Sequence, residues 1–184
     1  MKSVLISIQQ KWCELIASGK KIVEVRKTRP KLETPFKVYI YQTIDGGAKY
    51  DRIVSSGLIC GKVIGEFVCD KIVKFENSWY EPAFGETSYF SCVGCDELEK
   101  YLGTNEYGYG WHISDLVIYD KPRELSEFYQ KGKNNDQYYY DYCSGCEHHE
   151  TPIGEYPCNE CDGNRNYLYR PPQSWCYVES ENAE

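Results

Sequence analysis

No apolar run in this chain approaches the roughly 18–20 residues that a membrane-spanning helix requires, and no internal repeat is apparent. The opening apolar run, Val4 to Ile8, is also too short for the core of a secretory leader. Together these point to a soluble, cytoplasmic, non-membrane protein. A basic excess is missing as well. The net charge of −7 argues against a tight, sequence-independent grip on a long duplex, which needs many lysines and arginines on one face. A local basic spot remains available between Lys20 and Lys37, where Lys20, Lys21, Arg26, Lys27, Arg29, Lys31 and Lys37 outnumber Glu24 and Glu33.

What is abundant is aromatic and sulfur chemistry. Tyrosine alone accounts for 18 of the 184 residues and cysteine for 10. Tyrosine suits half-buried strands and also platforms on which bases stack. At 27% charged and 41% hydrophobic residues, the chain has the balance of a folded domain, and its length fits one domain with an elaboration.

Val4 to Ile8 alternates as a half-buried strand does, and Gln9 to Ser18 then sets Trp12, Leu15 and Ile16 at helical spacing, closed by Gly19. Strand spacing returns over Lys21 to Arg26 and Phe36 to Tyr41. Lys62 to Phe75 predicts one long strand bent at Gly65, followed by an irregular stretch. Beyond it the pattern predicts a short helix over Asp96 to Leu102, a strand over Gly110 to Tyr119 and a short helix over Glu124 to Tyr129. Ser174 to Val178 closes as a strand. Residues 130–166 lose periodicity and read as an insert within a single domain spanning 1–184. The element order suits an α+β, mainly β fold: a small mixed, mostly antiparallel barrel with short flanking helices.

Within the insert, Cys143-x-x-Cys146 and Cys158-x-x-Cys161 are separated by eleven residues. This spacing lets each thiolate pair clamp one side of a tetrahedral ion, so a structural zinc is expected. A loop with so little apolar content would gain its order from the metal. His148 and His149 stand between the pairs and are able to replace a thiolate. Cys92-x-x-Cys95 reads as a half-site, a redox couple or, preferably, two ordinary thiols. Cys13, Cys60, Cys69 and Cys176 lie in apolar-patterned segments and read as small core residues.

The segment Gly19-Lys20-Lys21-Ile22-Val23-Glu24-Val25-Arg26 contains G-x-K-x-x-E-x-R. Glu24 and Arg26, two apart on a strand, share one face. Lys21 joins them only from a turn. A carboxylate between two cations can orient a guanidinium fork toward phosphate, or accept from a base or sugar; the plainer alternative is a solvated strand face carrying an ion pair. With Val63-Ile64-Gly65-Glu66-Phe67, Tyr109-Gly110-Trp111-His112-Ile113 and Pro171-Pro172-Gln173-Ser174-Trp175-Cys176-Tyr177, this segment resembles the ASCH domain family, in particular its phage and prophage members, over about residues 1–130 and 168–179.

The resemblance implies a PUA-like β-barrel that binds RNA or a modified nucleoside or nucleotide in a small cleft, here with a zinc-knuckle insert. Lys21 and Glu24 are then the candidate chemical pair, with Arg26, Glu66 and His112 as candidate ligand-binding residues. Trp111 is expected in the core and His112 on the opposite face. Some relatives hydrolyse the amide of acetylated cytidine with a lysine, a threonine and a separate glutamate. Lys21 matches the lysine, but Glu24 stands where the threonine would be, so a hydrolase of a modified nucleoside or of RNA is the alternative to a binder. A third reading makes the zinc insert the contact surface of a protein-interaction adaptor.

Overall fold

The computed structural model of the chain describes residues 2–44, 60–131 and 165–180. The four insert cysteines and both adjacent histidines therefore lie outside the described residues.

Among the described residues the strands form two sheets. Strands β1 (Ser3–Ile8), β3 (Phe36–Gln42), β4 (Val63–Cys69), β7 (Ser114–Arg123), β8 (Phe128–Lys131), β9 (Arg165–Tyr167) and β10 (Trp175–Ser180) form a seven-stranded sheet in the order β7-β4-β3-β1-β10-β8-β9. Strands β2 (Val23–Arg26), β6 (Tyr107–His112) and β5 (Ile72–Glu76) form a three-stranded sheet in the order β2-β6-β5. Among the described pairings only β1 with β3 is parallel, which gives the mixed, mostly antiparallel arrangement expected.

β1 is covered on both faces rather than half-buried. Val4, Ile6 and Ile8 enter the main core with Val38, Ile40, Ile64, Phe67 and Trp111, which joins the two sheets. Leu5 instead enters a second cluster with Tyr39, Tyr41, Phe128 and Val178 on the other face. Helix α1 (Gln10–Ala17) adds Cys13 and Ile16 to the main core. Helices α2 (Pro82–Ser91) and α3 (Cys95–Leu102) cover the outer face of the small sheet, where Phe84, Leu98 and Leu102 meet Val25 and Phe75.

Several elements differ from the sequence expectation. The expected long strand 62–75 is two strands in different sheets. It breaks at Asp70–Lys71 and not at Gly65, which instead lets β7 approach: a Cβ there would lie 2.4 Å from the Val117 carbonyl oxygen. The stretch expected to be irregular contains α2, opened by Pro82 in its first turn. The single strand expected over 110–119 is the end of β6 and the start of β7, separated at Ile113. In place of a helix over 124–129 there is one 3-10 turn, Leu125–Glu127, held by a Glu124–Glu127 capping box, and then β8. The insert is also bordered by pairing strands, β8 reaching Lys131 and β9 starting at Arg165.

Candidate ligand site: a buried cation–carboxylate–cation triad

The site is assembled by the turn after α1. Gly19 takes φ +73°, a left-handed conformation that costs a glycine little, and the amides of Lys20 and Lys21 both donate to the Leu15 carbonyl. This doubles the chain back beneath α1 and delivers Lys21 to the side of β2 that carries Glu24 and Arg26. The Lys21 Nζ lies 3.3 Å from Glu24 Oε2 and the Arg26 Nη2 lies 3.0 Å from Glu24 Oε1. Lys21, Glu24 and Arg26 are only 2%, 6% and 8% exposed, so this is not a solvated strand face.

Charges so deeply buried need further partners. Lys21 Nζ donates to the Ser91 carbonyl at 2.8 Å, at the C-terminus of α2 where helix carbonyls are left unpaired and the dipole is negative. Its ammonium also stands 5.2 Å from the centre of the Trp12 ring. Arg26 Nη2 donates to the Ser7 carbonyl at 2.6 Å, tying the small sheet to β1. The triad nevertheless carries one positive charge in excess, and Arg26 Nε has no hydrogen-bond partner.

Register places Trp111 opposite Glu24 and Tyr109 opposite Arg26, so both rings share the triad's face. Trp111 is fully buried, as expected of a core residue, and packs edge-on against Phe36, yet its indole N–H is also unpartnered. Beside the triad lies Cys13, whose thiol is pushed well up by burial and then by the Glu24 carboxylate. Cys60 sits close to Cys13 and accepts a hydrogen bond from the Gln42 amide at 3.2 Å, while Gln42 Oε1 remains unpaired. Ser7, Ser91 and Gln42 were not singled out in the sequence; two contribute backbone carbonyls, which leave no mark in a side-chain pattern.

Glu66 and His112 are not brought to this site. Glu66 stands on β4, where it accepts from Lys37 Nζ at 2.8 Å and from the Tyr119 hydroxyl at 2.5 Å. His112 lies opposite Val23, on the face away from Glu24, and its Nδ1 is 2.6 Å from Asp70 Oδ1. Among the described residues no cluster of three or more His, Cys, Asp or Glu side chains is arranged to hold a metal. Cys92 and Cys95 are free thiols: Cys92 closes α2 in a left-handed conformation and contacts the Lys20 carbonyl, and Cys95 begins α3 beside Ser88.

The sequence pattern of the ASCH domain matches residues 6–140. This chain belongs to the ASCH domain family. The crystal structure of the ASCH protein from Zymomonas mobilis is similar over 96% of this chain and 87% of that one, with a TM-score of 0.58 and 17% identity. A tyrosine-to-phenylalanine variant of that protein gives 0.59 at 17% identity, over 97% and 91% of the two chains. A serine-to-alanine variant also gives 0.59, at 16% identity over 96% and 88%. At such identities the likeness concerns the fold alone. No curated protein sequence matches the chain significantly. The ASCH domain has the PUA-like fold, which is associated with binding of RNA and nucleotides. Among the described residues no helix is long and apolar enough to cross a membrane.

Proposed function

We propose that this ASCH domain binds RNA or a modified nucleoside or nucleotide in a small site built on Lys21, Glu24 and Arg26. The observation that carries the reading is the surplus of donors: a triad with one excess positive charge, and two buried N–H groups on its face, Arg26 Nε and Trp111 Nε1, without acceptors. Buried donors are normally satisfied. A phosphate satisfies both the donors and the charge, and a base carbonyl satisfies the donors. Binding is favoured over hydrolysis because each oxygen of Glu24 already faces a cation, which makes the carboxylate an orienting group rather than a free base.

Calorimetric titration with nucleotides, acetylated cytidine and short single-stranded RNA tests this. Arg26→Gln should weaken binding about tenfold or more while the protein still melts cooperatively. Unchanged affinity would remove the triad as the site. Conversion of acetylated cytidine, lost in Glu24→Gln while binding persists, would make the protein a hydrolase instead.

The zinc reading extends the proposal: Cys143, Cys146, Cys158 and Cys161 hold one structural ion through two C-x-x-C pairs. Elemental analysis should give one zinc per chain and none after Cys143→Ser with Cys146→Ser. A full zinc content in that variant would refute the ligand set.

A further inference from the structure

The layer of α2 and α3 has a character opposite to that of the triad. Between Glu76 and Glu106 stand seven carboxylates and a single base, Lys100. Among the described residues the same segment holds most of the exposed large aromatics, including Trp79, 56% exposed, and Tyr80, 97% exposed. These two rings sit on the loop between β5 and α2, and that loop is pinned. The Asn77 amide nitrogen Nδ2 donates to the carbonyls of Gly103 and Asn105 at 3.1 and 3.2 Å, and its backbone N–H donates to Glu106 at 2.9 Å. Glu81 N–H donates to the Ser78 carbonyl, and the Trp79 indole N–H donates to Glu99 Oε2 at 3.2 Å. The rings are thus held out to solvent by a preorganised turn, with Glu76, Glu81, Glu99 and Glu106 on the same loop or the segments bonded to it.

Two exposed aromatics on a rigid turn are unusual unless something covers them. The sign of the surroundings selects what that is. RNA and anionic membrane surfaces bring phosphates, which four carboxylates repel. Lysine and arginine bring cations that are attracted both to the carboxylates and to the faces of the rings. The neighbouring strand already carries this pairing, with Lys74 Nζ 3.4 Å over the Tyr107 ring centre. We propose that the Trp79–Tyr80 loop docks a lysine- and arginine-rich segment of a partner polypeptide. The site is independent of the nucleotide site and stands or falls separately.

The test uses the full chain and a fluorescent peptide of alternating arginine and glycine, read by anisotropy at low and at physiological salt. Binding is expected, weakening as salt rises, and it should fall about tenfold or more in Trp79→Ala with Tyr80→Ala. Both side chains are exposed, so that variant should melt as the wild type does. Charge reversal by Glu76→Lys with Glu106→Lys should also abolish binding, leaving the Trp79 hydrogen bond to Glu99 in place. Equal peptide affinity in both variants would overturn the proposal. So would a uridine-rich RNA that binds the wild type and is lost in the aromatic double variant, since nucleic acid would then occupy the loop. Self-association of the wild type in sedimentation, lost in the same variant, would also overturn it by making a second copy the occupant.

Discussion

The two faces of the small β2-β6-β5 sheet are built from alternate residues of the same strands, yet one meets the helices through a mainly apolar cluster and the other carries three buried charges. On the helix side Val25 and Phe75 meet Phe84, Leu98 and Leu102, and Thr87 of α2 lies against Gly110, with no charged side chain among them. On the barrel side Glu24 and Arg26 face inward with Lys21, held by backbone carbonyls of α2 and β1. An apolar face specifies itself by exclusion of water, which is roughly proportional to area and indifferent to identity. A buried ionic face adds little net stability over well-packed apolar residues of similar volume, so its presence calls for another explanation. A ligand for the unpaired donors supplies one.

The comparison is broken most sharply by removing the shared carboxylate. Glu24→Ala leaves two buried cations facing each other and should cost about 4 kcal/mol in denaturant-induced unfolding. A loss below about 1 kcal/mol would mean that water already reaches the triad. Ligand affinity should vanish as well. On the apolar face, Leu98→Ala removes a fully buried side chain and should cost about 3 kcal/mol while leaving ligand affinity within about twofold, because Leu98 contributes no polar atom to the triad. Equal losses of affinity from both substitutions would show that the two faces act as one cooperative unit.

The difference between these faces was partly legible in the sequence. Valine and charge alternate over Val23-Glu24-Val25-Arg26, and Gly19 announces the turn that makes Lys21 a third member. What the pattern could not carry was register. Glu66 and His112 occupy strands of the family match, but pairing turns Glu66 toward Lys37 and Tyr119, and it sets His112 opposite Val23 instead of Glu24. The break between β4 and β5 is equally hidden. Val63 to Phe75 is apolar enough to continue, and only the competition between two sheets for its halves decides that Asp70 and Lys71 separate them. Helix α2 leaves no apolar periodicity in the sequence because its buried residues Phe84, Thr87, Ser88 and Ser91 are mostly small and polar.

Glu66 offers the mildest contrast, an ion pair at the sheet surface against the buried one. Burial pushes its carboxyl up, but hydrogen bonds from Lys37 and Tyr119 outweigh this and hold it below the usual carboxylate value. A group whose folded value is depressed contributes stability above its unfolded value and loses it as pH falls through the folded one. The partner behaves in the opposite sense: the Glu66 hydrogen bond holds the Lys37 ammonium above its usual value, a contribution complete below that value and lost as pH rises through the folded one. Glu66→Gln should therefore be less stable than the wild type across the neutral range by under about 1 kcal/mol, and the two curves should converge both in acid, below the carboxylate range, and in strong alkali. Thermal melts across that span check it. A gap that persists in acid would place the loss in packing against Tyr119 and not in the charge, and the surface pair would then resemble the apolar face more than the triad.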